Sequence, residues 1–430
     1  MEREQMLNYS LEAINKAGAE KADCFLTKSE VHELNVENER ISLLRTTYDT
    51  SLVLKALKEN KKAIIKLNKT SKEDIDTAIE ELMEMVEHAQ ADPANDISEK
   101  QEPANFETPL TKPDMELMHK RLTAYLVFIK EKYPCLTSDA TNLKFMKIKQ
   151  NYVNTNGVRL SETSGRYQFT CMFVSKKDGK SSSFNYSYYL SDNLEKNLWE
   201  YAGMERLFKQ SDEQIETTGL QGKFVGDIII TPECVGSMFG SALSYLKDMS
   251  LISGKSIYKD KLGEKIASEH FTLHSQAVDE NLAISSHITS DGYTSENITV
   301  IENGILKTFL LSRYGAAKLD MKRSANQGSL LVLEPGKKTL DEMIASVDKG
   351  LLLCRFSGGN PSDNGDFAGV AKNSYYIENG EIKYPVSETM ISSNVARMLL
   401  DITEISRERL NSGVTFFPWV KVKSITISGK

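Results

Sequence analysis

Six histidines bound what acid–base or metal chemistry this chain of 430 residues can carry. His32-Glu33 opens like the His-Glu pair of a zinc peptidase, but no second histidine comes within a turn of chain, and the surrounding residues alternate as a strand does. The pair reads as solvated strand residues. His270 and His274 stand four apart with Glu269 beside them, a spacing that puts both on one face of a strand. Zinc needs three or four convergent ligands and no third is evident, so these two support only an alternative reading, a stand-alone hydrolase. His88, His119 and His287 are isolated, and the chain has no GxSxG for a nucleophile on a strained strand-to-helix turn.

The densest cluster of turn-forming residues is residues 354–367, CRFSGGNPSDNGDF. A phosphate cradle would require a helix to start directly after the glycines, whereas this segment leads into a strand. The glycines therefore mark a turn that needs positive φ. Glycines also let an extended peptide lie close to the backbone and add to a sheet edge. Gly358, Gly359, Asn360, Asn364, Gly365 and Asp366 are accordingly the candidate peptide-binding residues; no catalytic residue, metal ligand or cofactor is assigned to this chain.

Positioning such residues falls first to the stretch at 226–249, GDIIITPECVGSMFGSALSYLKDM. Asp227 to Ile230 is a β-branched apolar run, expected as a buried strand, and Thr231-Pro232-Glu233 supplies N-cap, first-turn proline and first-turn acid for a helix. Gly236, Gly240 and Ser244 recur every four residues, a face without bulk, which predicts a packing helix in a core or an interface. Between Glu233 and Lys247 the only ionisable side chains are Cys234 and Tyr245.

Composition sets the wider frame. A net charge of −7 offers no basic field for nucleic acid. Five scattered cysteines, Cys24, Cys135, Cys171, Cys234 and Cys354, never form CxxC, so reduced core thiols are expected rather than a disulfide framework. With no signal-like N-terminus and no apolar run of about 18 residues, a cytoplasmic protein without membrane contact is expected.

Periodicity predicts an α+β fold. An opening helix with Met6, Leu7, Leu11 and Ile14 inward precedes four strands at residues 23–35, 40–47, 50–57 and 62–67, and Ser71 to Asp74 is a capping box for a second helix. Residues 1–92 form this N-terminal unit; 93–112, with Pro93, Pro103 and Pro109, are a linker. Residues 113–221 form a central α+β unit with a helix expected at 194–209. Residues 222–430 form a mainly antiparallel domain with a helix expected at 394–405 and two matching hairpins around Asn303-Gly304 and Asn379-Gly380.

Along nearly its whole length the chain resembles the TldD/PmbA family, once called modulators of DNA gyrase. The resemblance rests on Gly18-Ala19-Glu20 to Asp23, Asn154 to Gly157, Lys261-Leu262-Gly263-Glu264-Lys265-Ile266-Ala267-Ser268, Gly358-Gly359-Asn360 with Gly365-Asp366-Phe367, Ile377-Glu378-Asn379-Gly380-Glu381, and Pro385-Val386-Ser387-Glu388, in that order. It implies a cytoplasmic metallopeptidase of two related subunits acting on unfolded peptides. In the TldD type an HExxxH zinc motif comes after the strand, and a late cysteine adds a ligand. Here Met238 to Leu243 occupy the helix, and no cysteine lies beyond Cys354. Ser324-Ala325-Asn326 and Ser392-Ser393-Asn394 also depart from the family's Thr-Gly-Asn and Ala-Gly-Asn. The resemblance thus implies a non-catalytic PmbA/TldE-like subunit, with zinc in a TldD-like partner and an extended peptide as substrate. The alternative is a metal-free homodimeric peptide-binding protein.

Overall fold

A computed structural model describes residues 3–387 and 389–429; Glu388, at the end of the 385–388 motif, lies outside the described residues. The fold is α+β, built on two sheets. In the first, strand Lys21–Glu37 pairs with Arg40–Lys58 on one side and Leu136–Asn154 on the other, and the latter pairs with Arg159–Lys177. All three pairings are antiparallel; short turns join Lys21–Glu37 to Arg40–Lys58 and Leu136–Asn154 to Arg159–Lys177, and burial alternates along most of Arg159–Lys177. Strand pairing therefore crosses the stretch at 93–112, which itself adds a short strand, Ala104–Glu107, parallel to Arg159–Lys177.

Helix Lys72–His88 starts at the expected capping box, Ser71 and Asp74 exchanging side-chain-to-backbone hydrogen bonds, and it buries Ile75, Ile79, Leu82 and Val86 in one core with Leu52 and Leu54. A second core lies under helices Met115–Lys132 and Met204–Glu213, where Tyr125, Phe169, Phe173 and Phe208 pack. The helix expected from residue 194 is reduced to a single tight turn, Leu198–Glu200, before Met204, because Ala202 and Gly203 both take positive φ, which a right-handed helix cannot contain.

The C-terminal sheet is mainly antiparallel, with three parallel pairings. Its centre is strand Lys223–Ile230, flanked by the antiparallel strand Thr415–Ser428 and the parallel strand Lys349–Leu353, and Ile228, Ile229 and Ile230 are fully buried. Both Asn-Gly pairs form hairpin turns with two successive positive φ values, as expected. The helix expected at 394–405 ends at Leu400 and gives way to strand Ile402–Asn411. Two irregularities in that strand's pairing, between Ile402 and Glu404 and between Ile405 and Arg409, bury Ile402 and Ile405, so a bulged strand imitates helical spacing.

Residues 92–101 tie the two halves together. Asp92 accepts from Tyr314 and Lys318, Asp96 pairs with Lys21 and Arg313, and Gln101 bonds the backbone at Gly292 and Thr294. Among the described residues no helix is long and apolar enough to cross a membrane.

Candidate functional site

Lys223–Ile230 and Lys349–Leu353 run parallel in register, Asp227 opposite Gly350 and Ile230 opposite Leu353, so both strands finish at the same border of the sheet. The segments leaving the two strands must therefore face each other across one crevice, the usual place for ligands in sheets with parallel neighbours. The first strand leads into helix Pro232–Ser244; the second leads into Cys354 and the glycine-rich loop.

The helix begins as the residue types require, with Pro232 in the first turn. Thr231 occupies the N-cap position but its hydroxyl makes no cap; it donates to the Cys354 carbonyl at 3.4 Å while its amide donates to Leu353 at 3.0 Å. These bonds pin the helix start to the neighbouring strand's end. Cys234, Val235, Met238, Phe239, Ala242 and Leu243 are buried against the sheet. Gly236, Ser237, Gly240 and Ser244 are exposed, so of the two expected settings, core or interface, the bare face is not core within this chain. A methyl group placed on Gly240 would touch nothing within 4 Å, and one on Gly236 only Phe417 at 3.7 Å. The spacing of small residues fixed the bare face but could not say what fills the space beside it. The serines turn inward on their own helix, Ser237 donating to the Cys234 carbonyl at 2.8 Å and Ser244 to that of Ser241 at 2.6 Å.

Across from this face lies the loop, and between them is a cleft of about 610 Å³. Gly358, Gly359 and Asn360 line it, opposite Ser237, Gly240 and Ser241. Strand Arg355–Gly358 pairs, among the described residues, only with Asp366–Lys372, so its other edge is free. Gly358 is required by packing: a Cβ there would stand 2.5 Å from the Phe356 ring and 2.8 Å from the Ala368 carbonyl, and Phe356 in turn meets Phe367 edge-on at 5.7 Å. Gly359 has no such neighbour and no positive φ.

Asn364, Gly365 and Asp366 take another part, as a knot behind the wall. Gly365 has φ +89° and its amide donates to the Ser362 carbonyl at 2.8 Å. Asn394 donates to the Asn364 carbonyl and to Asp366 Oδ1 at 2.8 and 2.9 Å, while its own oxygen caps helix Val395–Leu400. Hydrogen bonds from Asn394 and then Asn364 hold the Asp366 carboxyl below its usual range. Tyr245, from the helix side, donates to the Ser362 carbonyl at 3.0 Å and fixes the loop across the cleft. A Lys255–Asp363 pair at 3.3 Å spans the same gap but is exposed and contributes little. Sequence reasoning missed Phe356, and also Tyr245 and Asn394, whose partners Ser362 and Asn364 lie 117 and 30 residues away.

The remaining candidates are elsewhere. His274 is held by Thr299 and Glu334 at 3.0 Å each, while His270 sits in an exposed turn outside strand Leu273–Gln276, so the two do not share a strand face. His32 contacts Glu30 at 2.8 Å and Thr46 at 3.1 Å, half-buried rather than solvated. Among the described residues no group of three or more His, Cys, Asp and Glu is placed to hold a metal. Burial pushes the Cys234 and Cys354 thiols up to about 12, so both stay protonated.

Residues 222–429 match the family model of the PmbA/TldA metallopeptidase C-terminal domain. A metalloprotease PmbA homologue from Haemophilus influenzae is 23% identical over 94% of this chain and 91% of its own length. A zinc metalloprotease TldD homologue from Saccharolobus solfataricus is 28% identical over 47% of this chain and 51% of its own. The crystal structure of TldE from Thermococcus kodakarensis superposes with a TM-score of 0.85 at 20% identity, covering 99% of each chain.

Proposed function

Because the chain belongs to the PmbA/TldD family, we propose that it serves as the metal-free, PmbA/TldE-like subunit of a two-subunit zinc peptidase. It holds unfolded peptide while a TldD-like partner carries the zinc. The observation behind this reading is the face that helix Pro232–Ser244 turns to the cleft: glycines and serines, where the TldD type is expected to place its zinc ligands. Serine hydroxyls already bonded to backbone, and a buried protonated thiol, are the wrong donors for zinc, which takes imidazole, thiolate and carboxylate. No hydrolytic step is therefore assigned to this chain.

Its own residues serve to hold a peptide. The free edge of Arg355–Gly358 pairs with extended backbone, and Gly359 and Gly240 leave room for that backbone between loop and helix. Asn364, Asp366 and Asn394 keep the wall rigid, so less order has to be imposed when peptide arrives. The test is co-expression with a TldD-like protein. A stable complex that cleaves an unfolded peptide, from a chain that alone carries negligible zinc by mass spectrometry, is expected; absence of both complex and cleavage ends the proposal.

A second reading, a homodimeric peptide-binding protein, is favoured by one feature. Residues 40–51 form an edge with no outer partner among the described residues, and there Leu44 is 65% and Tyr48 73% exposed. A concentration-independent dimer by sedimentation, unchanged by a TldD-like chain, would select it.

A further inference from the structure

Beside the cleft, a separate recess of about 260 Å³ opens at the start of helix Pro232–Ser244, lined by Gly236 where the cleft is lined by Ser237. Distant parts of the chain wall it: Tyr186 and Tyr188 from strand Asn185–Ser191, Leu410, Val414 and Phe417 from the C-terminal segment, Glu233 from the first turn of the helix and Arg355 from the edge strand. Its volume lies below the roughly 300 Å³ at which small-molecule pockets begin, so it admits one large side chain and not a whole ligand.

The polar groups narrow the choice further. Glu233 Oε1 is held by Arg206, but Oε2 is buried without a partner. Glu233 lines the recess, but its Oε2 is closed off in this conformation, so a donor reaches it only when the carboxylate turns into the recess. A second cation is a poor one: Arg206 already balances Glu233, and Arg355 stands on the wall, its guanidinium 3.7 Å from the centre of the Tyr186 ring and its Nε donating to Asn185 at 3.0 Å. A neutral donor on a flat apolar body fits both the aromatic walls and the oxygen.

We propose that this recess is a specificity subsite that accepts a tyrosine side chain of an extended peptide lying in the cleft, ring against Tyr188 and Phe417, hydroxyl donating to Glu233 Oε2. The proposal rests on the peptide-holding reading above. Arg355 links the two sites, since its backbone belongs to the edge strand while its side chain lines the recess.

The experiment is fluorescence anisotropy on the full chain with fluorescein-labelled Ala/Thr peptides carrying Tyr, Phe, Lys or Ala at one central position. Tyr is expected to bind roughly tenfold tighter than Phe, the size of one hydrogen bond to a charged acceptor, with Phe tighter than Ala and Lys no better than Ala. Val414→Trp, which fills the recess, and Tyr188→Ala, which opens a wall, should each bring Tyr to the level of Ala while leaving Ala binding unchanged. A melting curve on each variant checks that it folds, and either variant alone suffices. Equal binding of all four peptides overturns the subsite and leaves the peptide-holding reading standing, as does preference for Lys. If no peptide binds, with or without a TldD-like partner, that reading falls and takes the subsite with it.

Discussion

Where residues 92–101 cross to the segment around Asp291 and Arg313, polar groups find partners within the chain: Asp291 takes Arg323 Nε and Nη2 at 3.0 and 3.2 Å, the Arg313 amide at 2.8 Å and the Thr289 hydroxyl at 2.6 Å. Where helix Pro232–Ser244 faces the glycine loop, the walls are glycine, inward-bonded serine and a free strand edge, and Glu233 keeps an unpartnered oxygen nearby. Both are meetings of distant segments, yet the first is closed and the second open. The charged cluster holds the halves together, and the bare cleft remains open.

The sharpest way to break this contrast is at the clasp. Arg323→Ala leaves Asp291 largely buried without its cation and should cost about 3 kcal/mol in a urea melt, with peptide binding intact in the folded fraction. The same carboxylate predicts a pH effect. Burial pushes Asp291 up, but Arg323, Thr289 and the Arg313 amide together bring it below the usual value of 3.8. A depressed carboxylate contributes stability that is present above the unfolded pKa and lost as pH falls through the folded one. Melts of the parent should weaken below about pH 4, and that acid sensitivity should shrink in Asp291→Asn.

Gly358→Ala comes next, at about 2 kcal/mol, because the added methyl meets the Phe356 ring and the Ala368 carbonyl. Asn394→Ala should cost about 1 kcal/mol through the lost helix cap. It should also loosen the 362–366 knot, read as faster amide exchange at Gly365. Smallest in stability is Gly359→Ala, under about 0.5 kcal/mol, since nothing stands near its missing side chain. It should nonetheless weaken peptide binding, and a variant that binds peptide normally would argue that the loop is structural throughout.

Much of this was readable from residue order because it depended on neighbours in sequence. The capping box at Ser71, the Asn-Gly hairpins and the strand–turn–helix at 227–244 rest on contacts a few residues apart. The end of the helix before Ala202 and the bulged strand at 402–411 were not readable, since positive φ at an alanine and a shifted register arise from packing against distant strands. The candidate loop divided in the same way. Its composition marked Gly358 to Asp366 as special, but of the six candidates Gly358, Gly359 and Asn360 line the cleft, while Asn364, Gly365 and Asp366 are tied to Asn394 behind it. Sequence by itself determined that helix Pro232–Ser244 would have a bare face without ionisable groups, because side-chain identity and helical spacing fix that locally. Only the tertiary structure decided that this face opens on the glycine loop, because the parallel pairing of Lys223–Ile230 with Lys349–Leu353 brings together strand ends more than a hundred residues apart.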